Sequence, residues 1–360
     1  MKITYVVPRY LPDLGGIENH VAALATGAAA AGHQVTVLTQ QEGVAAPTRE
    51  IMDGVTVRRF PSGLSIRGQG LSPRLWWAVR HLGATTDILH VHNVHAATTL
   101  GVLVAARPGR IVVTPHYLGS GDGWLDRTLH HLYDPALAHA LTKADAVICV
   151  SRAEADELGR DLSVAGARVH VIPNGVDVDA LRHAHPAEAA DPVVLVAGRL
   201  ERYKQPALAV DALRYLPSEY TLVIAGSGPE AGALRRFAAA SGVSSRVRLV
   251  GPLSSAELAR WYRRAAVVVS MSRRECFGMT LAEGLAGGCG IVASDIPAHR
   301  EVVAAAGWDA RTLLPPDSNG PAVAAAIQYA ALARVGFVDA VTTWADVVSD
   351  TLRLYEELGG

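Results

Sequence analysis

The sequence predicts an α/β protein built from two Rossmann-like domains, each a doubly wound parallel sheet. Short runs rich in valine and isoleucine recur along the chain, and a longer helical pattern follows most of them. Most of these runs are continuously apolar, as expected of parallel strands that helices cover on both faces. This alternation of strands and helices occurs in two series along the 360 residues. The length also favours two domains over one.

The predicted strands form two groups with a linker between them. In the first half we expect strands at 2–7, 34–39, 55–60, 87–91, 110–114, 145–150 and 168–172, and in the second half at 192–197, 220–225, 246–250, 266–271 and 289–294. The turn residues Pro173-Asn174-Gly175 and the polar segment 183–191 then mark a boundary. The sequence therefore predicts domains over 1–174 and 175–343.

Two helices are predicted from apolar residues at helical spacing. The first helix buries Ile17, Val21, Leu24, Ala25 and Ala28. The last helix, within 344–360, carries Trp344, Val347, Val348, Leu352, Tyr355 and Leu358 on its apolar side.

Composition excludes several classes of protein. Half of the residues are hydrophobic and 19% are charged, which indicates a packed globular chain rather than a disordered one. The net charge of -1 gives no general attraction to nucleic acid. Three cysteines without a CxxC pair fit a reducing compartment, and neither a signal-peptide core nor a membrane span is predicted. We therefore expect a cytoplasmic protein.

Two loops after predicted strands suit an anionic ligand. Gly15 and Gly16 follow the first strand and open a helix, whose free amides can face a phosphate. Arg199 and Lys204 follow the first strand of the second half, where they can neutralise a diphosphate from two sides. The alternatives are a plain tight turn and a solvated pair of basic residues.

The loop 275–283 is the strongest candidate. It follows a strand that ends at Ser270-Met271, and ligands of parallel sheets bind beyond the carboxyl ends of the strands. Gly278 can open a helix with free amides. Glu275 lies in the loop. Glu283 has apolar neighbours in the sequence, and burying a carboxylate among them is costly unless it is paired or bonded to hydroxyls. The alternative for Glu283 is a solvent-facing position.

This segment resembles the Glu-x7-Glu signature of GT-B glycosyltransferases, specifically the retaining glycosyltransferase family 4 (glycosyl transferases group 1). Further segments resemble the same family in the same order: Gly15-Gly16-Ile17-Glu18, Val171–Asp177, Gly198-Arg199-Leu200 with Lys204, Gly226–Pro229, and the chain from Trp344. The resemblance implies the GT-B fold, with two Rossmann-like domains facing across a cleft. The last helix, 344–360, would cross back to the acceptor-side domain 1–174, and 175–343 would bind the donor.

The resemblance also implies the reaction. Such an enzyme moves a hexosyl group from a nucleotide diphosphate sugar, with UDP favoured over GDP, to a hydroxyl of a small-molecule, glycan or lipid-linked acceptor. It retains the anomeric configuration. No metal or cofactor is expected, because the nucleotide sugar is a co-substrate.

Carried over to this sequence, the family pattern assigns roles to individual residues. Glu275 would bind hydroxyls of the donor sugar, and Glu283 those of the ribose. Backbone amides of Phe277, Gly278, Met279 and Thr280 would face the sugar and phosphate. Arg199 and Lys204 would hold the diphosphate and stabilise its developing charge, with Gly15 and Gly16 completing the cradle. His116 matches a family histidine near the donor sugar and acceptor. The segment 296–301, with His299, replaces a loop that is commonly glycine-rich in the family.

Three features are interpreted as structural. The metal motif Asp177-Val178-Asp179 lies in the linker rather than at a donor strand end. His90, His92 and His95 are spaced like metal ligands, yet no carboxylate follows closely, so cleft-lining or structural roles are expected. Cys276 has no obvious base partner and is not expected to be a nucleophile.

The stretch 54–86 is basic and bears aromatic residues but no acidic side chain: Arg58, Arg59, Arg67, Arg74, Arg80, Trp76 and Trp77. It predicts a peripheral contact with the inner membrane face or an anionic acceptor, with a solvated loop and two core tryptophans as the alternative.

Two other functions compete with glycosyl transfer. They are a nucleotide-sugar epimerase of the same fold and a non-catalytic module that binds nucleotide sugars or polysaccharides. The combination of Glu275, Glu283, Arg199 and Lys204 argues against both.

Overall fold

The structure, a computed structural model, describes residues 1–13, 15–63, 65–66, 69–82, 85–106, 109–119, 124–164, 166, 168–189, 192–333, 338 and 341–359. The chain forms two compact units. Unit 1 comprises Met1–Gly175 and Trp344–Gly360, and unit 2 comprises Val176–Thr343.

Unit 1 contains an eight-stranded sheet in the order β10-β9-β8-β7-β1-β2-β4-β3, with a separate hairpin of β5 and β6. The strands are β1 (Lys2–Val6), β2 (Gln34–Gln41), β3 (Thr48–Met52), β4 (Val55–Pro61), β5 (Ser65–Ile66), β6 (Gln69–Gly70), β7 (Ile88–His92), β8 (Arg110–Thr114), β9 (Ala146–Cys149) and β10 (Val169–Val171). In the large sheet only β3 runs antiparallel, against β4.

Helices cover both faces of this sheet because its strands are apolar on both sides. They are α1 (Gly16–Ala30), α2 (Pro73–Arg80), α3 (Ala97–Ala105), α4 (Trp124–Leu141), α5 (Arg152–Leu162) and α13 (Trp344–Gly359). Successive residues of β1 serve opposite faces: Tyr5 packs in the core that contains residues of α1 and α13, and Val6 packs in the core that contains residues of α2 to α5. The last helix is therefore an integral part of unit 1.

Unit 2 holds a six-stranded parallel sheet in the order β13-β12-β11-β14-β15-β16. Its strands are β11 (Val193–Ala197), β12 (Thr221–Ala225), β13 (Val247–Gly251), β14 (Val267–Ser270), β15 (Gly290–Ser294) and β16 (Leu313–Leu314). Its helices are α6 (Val178–His183), α7 (Ala207–Ala212), α8 (Ala231–Ala240), α9 (Ser255–Arg264), α10 (Met279–Ala286), α11 (Pro297–Ala305) and α12 (Gly320–Leu332). This strand order is the doubly wound order of Rossmann domains.

The structure confirms the predicted fold class. Each predicted strand exists, with ends that differ by at most two residues from those predicted, and helices begin at Gly16 and Trp344 as expected. The sequence prediction missed the edge strands β3 and β16 and the hairpin β5-β6. Within the described residues, every helix is too short or too polar to cross a lipid bilayer.

Candidate active site

Each sheet has one point where the strand order reverses, and the candidate residues follow the strands on either side of it. In unit 2 this point lies between β11 and β14, which pair through Val194 with Val267. In unit 1 it lies between β1 and β7, which pair through Ile3 with Ile88. Parallel sheets bind ligands at such points, beyond the carboxyl ends of the strands.

The loop after β11 is held by close backbone contacts with the glycine turn after β12. Leu200 N donates to Ser227 O at 2.8 Å. A Cβ on Gly226 would lie 1.8 Å from Gly198 O, and a Cβ on Gly228 would lie 2.4 Å from Leu200 O. Both turn glycines are therefore required by contact with the loop that carries Arg199 and Lys204.

Lys204 and Glu275 form an ion pair at the centre of the unit 2 site. Lys204 Nζ lies 2.6 Å from Glu275 Oε1, and the two side chains are only 22% and 15% exposed. The backbones are also joined, because Arg273 N donates to Tyr203 O at 2.8 Å. The fold thus brings together two residues that the sequence assigned to the donor separately.

The electrostatics of this pair keep both groups charged. Burial raises the pKa of Glu275, but the Lys204 ammonium, His299 and the Ser272 hydroxyl lower it further than burial raises it. Burial lowers the pKa of Lys204, yet Glu275 and Tyr203 bring it above its usual value. A carboxylate and an ammonium therefore face the same point beyond the strand ends.

Helix α10 presents its N-terminus beside this pair. Gly278 precedes the helix with φ +110°, a conformation that favours glycine, and Met279 is the first helical residue. Thr280 anchors the helix through its hydroxyl, which donates to Ala197 O at 3.3 Å. Phe277 is partly buried and packs on the core of unit 2. The free amides of the first turn remain available to an anion.

Glu283 lies one turn further along α10 and is partly buried. Tyr262 Oη donates to Glu283 Oε2 at 2.6 Å. Burial raises the pKa of Glu283 to about 7, and the Tyr262 hydrogen bond only partly opposes this. Glu283 is therefore not a solvent-facing helix residue but a carboxylate in an apolar setting, fixed by one phenol.

Arg199 is more exposed to solvent than Lys204. Its side chain is exposed, and its guanidinium contacts Tyr203 Oη at 3.3 Å. An exposed cation and a half-buried paired cation therefore lie on the same loop.

In unit 1, His116 lies within a group of buried histidines at the ends of β7 and β8. His116 Nε2 is 3.4 Å from His92 Nδ1, and the two rings stack with centroids 5.6 Å apart. His20, from α1, packs edge-on against His116 and bonds through Nδ1 to Asn174 Oδ1 at 2.7 Å. His90 bonds instead to Tyr355 and Thr114.

Burial keeps these imidazoles uncharged. It lowers the pKa of His20 to about 4 and holds those of His90, His92 and His116 well below the usual value. Among the described residues, His20, His92 and His116 are the one group that offers three ligand atoms within 4.8 Å of one another. The group contains no carboxylate; His20 bonds to Asn174, and His92 bonds to His116.

Gly15 and Gly16 open α1 beside this group. Gly15 adopts an extended conformation, and a Cβ there would lie 2.2 Å from Glu18 Oε2, whereas a Cβ on Gly16 would meet nothing within 4 Å. Glu18 is buried and pairs with Arg9 at 3.3 Å. Gly16 thus leaves open space at the helix N-terminus.

Comparisons with known proteins assign the chain to a family. The model of Glycosyltransferase Family 4 matches residues 14–180, and that of Glycosyl transferases group 1 matches residues 177–333. The D-inositol 3-phosphate glycosyltransferase of Xylanimonas cellulosilytica is 29% identical over 342 residues, covering 81% of this chain and 78% of the relative. The chain is a family 4, group 1 glycosyltransferase.

Solved structures show the same GT-B fold. Sucrose-phosphate synthase (tll1590) from Thermosynechococcus elongatus superposes with a TM-score of 0.78 at 22% identity, covering 99% of this chain and 98% of that one. Anabaena Alr3699/HepE in complex with UDP and glucose gives a TM-score of 0.74 at 18% identity, covering 100% and 97%. The recognition made from the sequence motifs is confirmed.

Features of this glycosyltransferase that resembled other sites have structural roles. Asp177, of the Asp-x-Asp motif, caps α6 by accepting from Ala180 N at 2.9 Å. His95 Nε2 accepts from Leu118 N at 3.0 Å. Cys149 and Cys289 are buried, and Cys276 is partly exposed. Cys289 Sγ donates to Tyr262 O at 2.9 Å.

The basic stretch of the glycosyltransferase is divided between core and surface. Arg59 is buried and pairs with Glu50 at 2.7 Å, and Trp76 donates to Thr98 O at 3.0 Å. Trp77 is 65% exposed and stacks on His81. Arg67 lies outside the described residues. Membrane contact through 54–86 stays a prediction.

Sequence reasoning missed His20, Tyr262 and Glu154. His20 carried a signal, since a histidine among the buried residues of α1 needs a polar partner. Tyr262 gave no local signal because Glu283 is 21 residues away. Glu154 follows Ser151 in a capping pattern, yet its carboxylate bonds elsewhere, to Val150 N and Tyr117 N.

Proposed function

We propose that this glycosyltransferase moves a sugar from a UDP-sugar to an acceptor hydroxyl, with retention of configuration and without a metal ion. The observation that carries the proposal is the charged pair of Lys204 and Glu275 beside the N-terminus of α10. It lies at the point of unit 2 where a Rossmann-like sheet binds its ligand.

The reaction breaks a glycosyl–phosphate bond, so negative charge develops on the leaving diphosphate. Lys204 and Arg199 are two cations of this loop that can face the diphosphate, and the free amides of α10 add fixed dipoles. Groups that interact more strongly with the leaving diphosphate than with the intact donor lower the barrier selectively. Gly16 offers a further open helix N-terminus for phosphate, in unit 1.

The two carboxylates suit hydroxyl groups rather than phosphate. Glu275 accepts from Lys204 and from the Ser272 hydroxyl, and its remaining lone pairs can accept from hydroxyls of the donor sugar. Glu283 accepts one hydrogen bond from Tyr262 and has lone pairs left for the ribose hydroxyls. This division of roles follows the Glu-x7-Glu resemblance.

UDP is the favoured donor nucleotide because Anabaena HepE, which shares the fold, was solved in complex with UDP and glucose. GDP is the second candidate. The relative named for D-inositol 3-phosphate makes inositol phosphates the first acceptors to test, ahead of glycans and lipid-linked acceptors. We place His116, an uncharged imidazole, with the donor sugar and acceptor.

Metal independence is proposed because side-chain cations already flank the candidate phosphate site. The site has Lys204 and Arg199 where a metal-dependent enzyme needs a divalent ion, and Glu275 is already paired with Lys204. A cytoplasmic location is proposed because the three cysteines of the sequence form no CxxC pair and their number is odd.

The test follows UDP-glucose and an inositol phosphate acceptor by proton NMR in excess EDTA. We expect UDP release and an α-linked product, since the donor is α-linked. A β-linked product would refute retention, and activity that returns only with Mn²⁺ or Mg²⁺ would refute metal independence. If none of the UDP-, GDP-, ADP- or dTDP-sugars is consumed, even with added metal, the assignment of the donor site is wrong.

A further inference from the structure

His116 has an unusual backbone conformation. Its φ is +48°, in the left-handed region, where a residue with a side chain is strained. Such a conformation costs on the order of 1 kcal/mol or more and persists only when neighbouring groups fix it. The structure should therefore contain groups that hold this loop.

Two side chains hold the peptide groups directly after His116. Tyr117 N donates to Glu154 Oε1 at 2.6 Å, and Leu118 N donates to His95 Nε2 at 3.0 Å. The two partners come from different parts of unit 1, since Glu154 lies in the first turn of α5 and His95 follows β7. They secure consecutive amides of one loop.

Glu154 is buried more deeply than a helix cap requires. Glu154 is 1% exposed. Ser151 already caps α5, because its hydroxyl accepts from Glu154 N at 2.9 Å. The second oxygen, Oε2, accepts from Val150 N at 2.6 Å. A buried carboxylate is costly, and this one uses both oxygens to join the end of β9 to the loop of His116.

His95 acts through its ring as well as through its nitrogen. The imidazole stacks on the Tyr117 ring with centroids 5.3 Å apart and planes within 7°. Because Nε2 accepts from a backbone N–H, the proton of the neutral ring is on Nδ1. Tyr117 is anchored at its other end, where its hydroxyl donates to Asp161 at 3.0 Å.

The backbone of the preceding segment is joined to the loop after β7. Asn93 N donates to Thr114 O at 3.1 Å, and Val94 N donates to Pro115 O at 2.9 Å. His116 is therefore fixed on both sides, and its ring is stacked on His92. A rotation of the loop would break the Glu154 and His95 bonds together and move the imidazole.

We propose that Glu154 and His95 are positioning residues for glycosyl transfer, which hold His116 in its left-handed conformation through the amides of Tyr117 and Leu118. This inference rests on the proposed function of His116. Neither residue contacts substrate in this role. They act by fixing where the imidazole of His116 lies.

The decisive variants alter hydrogen bonding with little change in shape. Glu154→Gln retains one acceptor oxygen and turns the other into an NH₂ that opposes a backbone donor. His95→Gln keeps an acceptor near the position of Nε2, whereas His95→Ala removes it. Asp156→Asn, on the exposed side of α5, is the matched control for the charge change.

We expect kcat for UDP release from UDP-glucose to fall about 10- to 100-fold in Glu154→Gln and His95→Ala, because small misplacements of a catalytic group have effects of this size. The KM for UDP-glucose should stay near that of the wild type, and His95→Gln should retain more activity than His95→Ala. Asp156→Asn should match the wild type. Hydrogen exchange at the Tyr117 and Leu118 amides should accelerate in the Glu154→Gln and His95→Ala variants only.

His116→Ala distinguishes the proposed role of His116 from the positioning role of Glu154 and His95. If it turns over normally, the proposed function of His116 fails, and the positioning role fails with it. If His116→Ala is impaired but Glu154→Gln and His95→Ala have normal kcat, the positioning role alone is overturned. A lower thermal midpoint with unchanged kcat would likewise show that both residues only stabilise the fold.

Discussion

At the scale of single residues, the donor site is built around the ion pair of Lys204 with Glu275, whose Nζ and Oε1 atoms are 2.6 Å apart. The two residues come from different loops. They are 71 residues apart, and they meet because β11 and β14 are neighbours in the sheet. The sequence gives no strand order, so it cannot show which loops share an edge. Tyr262 was missed because its partner, Glu283, is 21 residues away in the sequence.

The Lys204–Glu275 pair yields a direct test of the donor site. Lys204→Ala removes the half-buried cation and leaves Glu275 without its partner. We expect a loss of about 100-fold or more in kcat for UDP release, comparable to removal of one electrostatic group from an active site. Arg202→Ala, in the same turn but exposed, should be close to the wild type. Normal turnover in folded Lys204→Ala would contradict the assignment.

Glu283 gives the binding of the donor a pH dependence. Burial raises the pKa of Glu283 to about 7, so its carboxyl is protonated below that pH and ionised above it. Only the ionised form offers all its oxygen lone pairs to the ribose hydroxyls. We therefore expect the affinity for UDP-glucose to increase by up to about tenfold as the pH rises through 7.

Calorimetric titration across this pH range checks the prediction, since the diphosphate of UDP-glucose does not itself titrate there. Glu283→Gln should abolish this increase in affinity with pH. Tyr262→Phe should move it to higher pH, because the phenol hydrogen bond lowers the pKa of Glu283. An equal increase in affinity with pH in Glu283→Gln would show that another group titrates.

At the scale of elements, continuous apolar runs predicted the central strands with only small errors at their ends. The missed strand β3, Thr48–Met52, is largely exposed and pairs on one side only, so burial leaves no apolar signature on it. The two-residue strands β5, β6 and β16 are too short for any periodicity. Edge strands depend on the neighbour that they pair with, which a local pattern does not contain.

The contact between α1 and α13 depends on a glycine. A Cβ on Gly27 would lie 2.5 Å from Val348 Cγ2. We expect Gly27→Ala to destabilise unit 1 by about 1–3 kcal/mol through overpacking, although alanine favours a helix. Calorimetry should show a lower thermal midpoint, restored in Gly27→Ala/Val348→Ala.

Gly232, in α8, is the matched control because a Cβ there would meet only the end of Arg236 at 3.5 Å. Gly232→Ala should be neutral or stabilising by up to about 1 kcal/mol. Equal effects of the two single substitutions would show that α13 does not pack closely on α1.

At the scale of the whole molecule, the two units share one arrangement of strands and candidate residues. Each contains a mainly parallel sheet whose strand order reverses once, and each carries its candidate residues on loops at that point. The repeated rhythm of apolar runs predicted this arrangement. The identity of the acceptor did not follow, because acceptor recognition depends on loops whose side chains no local pattern fixes. The net charge of -1 adds no long-range preference for a partner.

The central claim is that this chain binds a nucleotide sugar through the Lys204–Glu275 site. The most direct test is a thermal-shift panel of UDP, GDP, ADP, dTDP and their sugars, on the wild type and Lys204→Ala. A ligand that binds only the folded protein raises its midpoint. We expect a selective rise with UDP and UDP-sugars that Lys204→Ala greatly reduces. The absence of a rise with every nucleotide, or an equal rise in Lys204→Ala, would contradict the account.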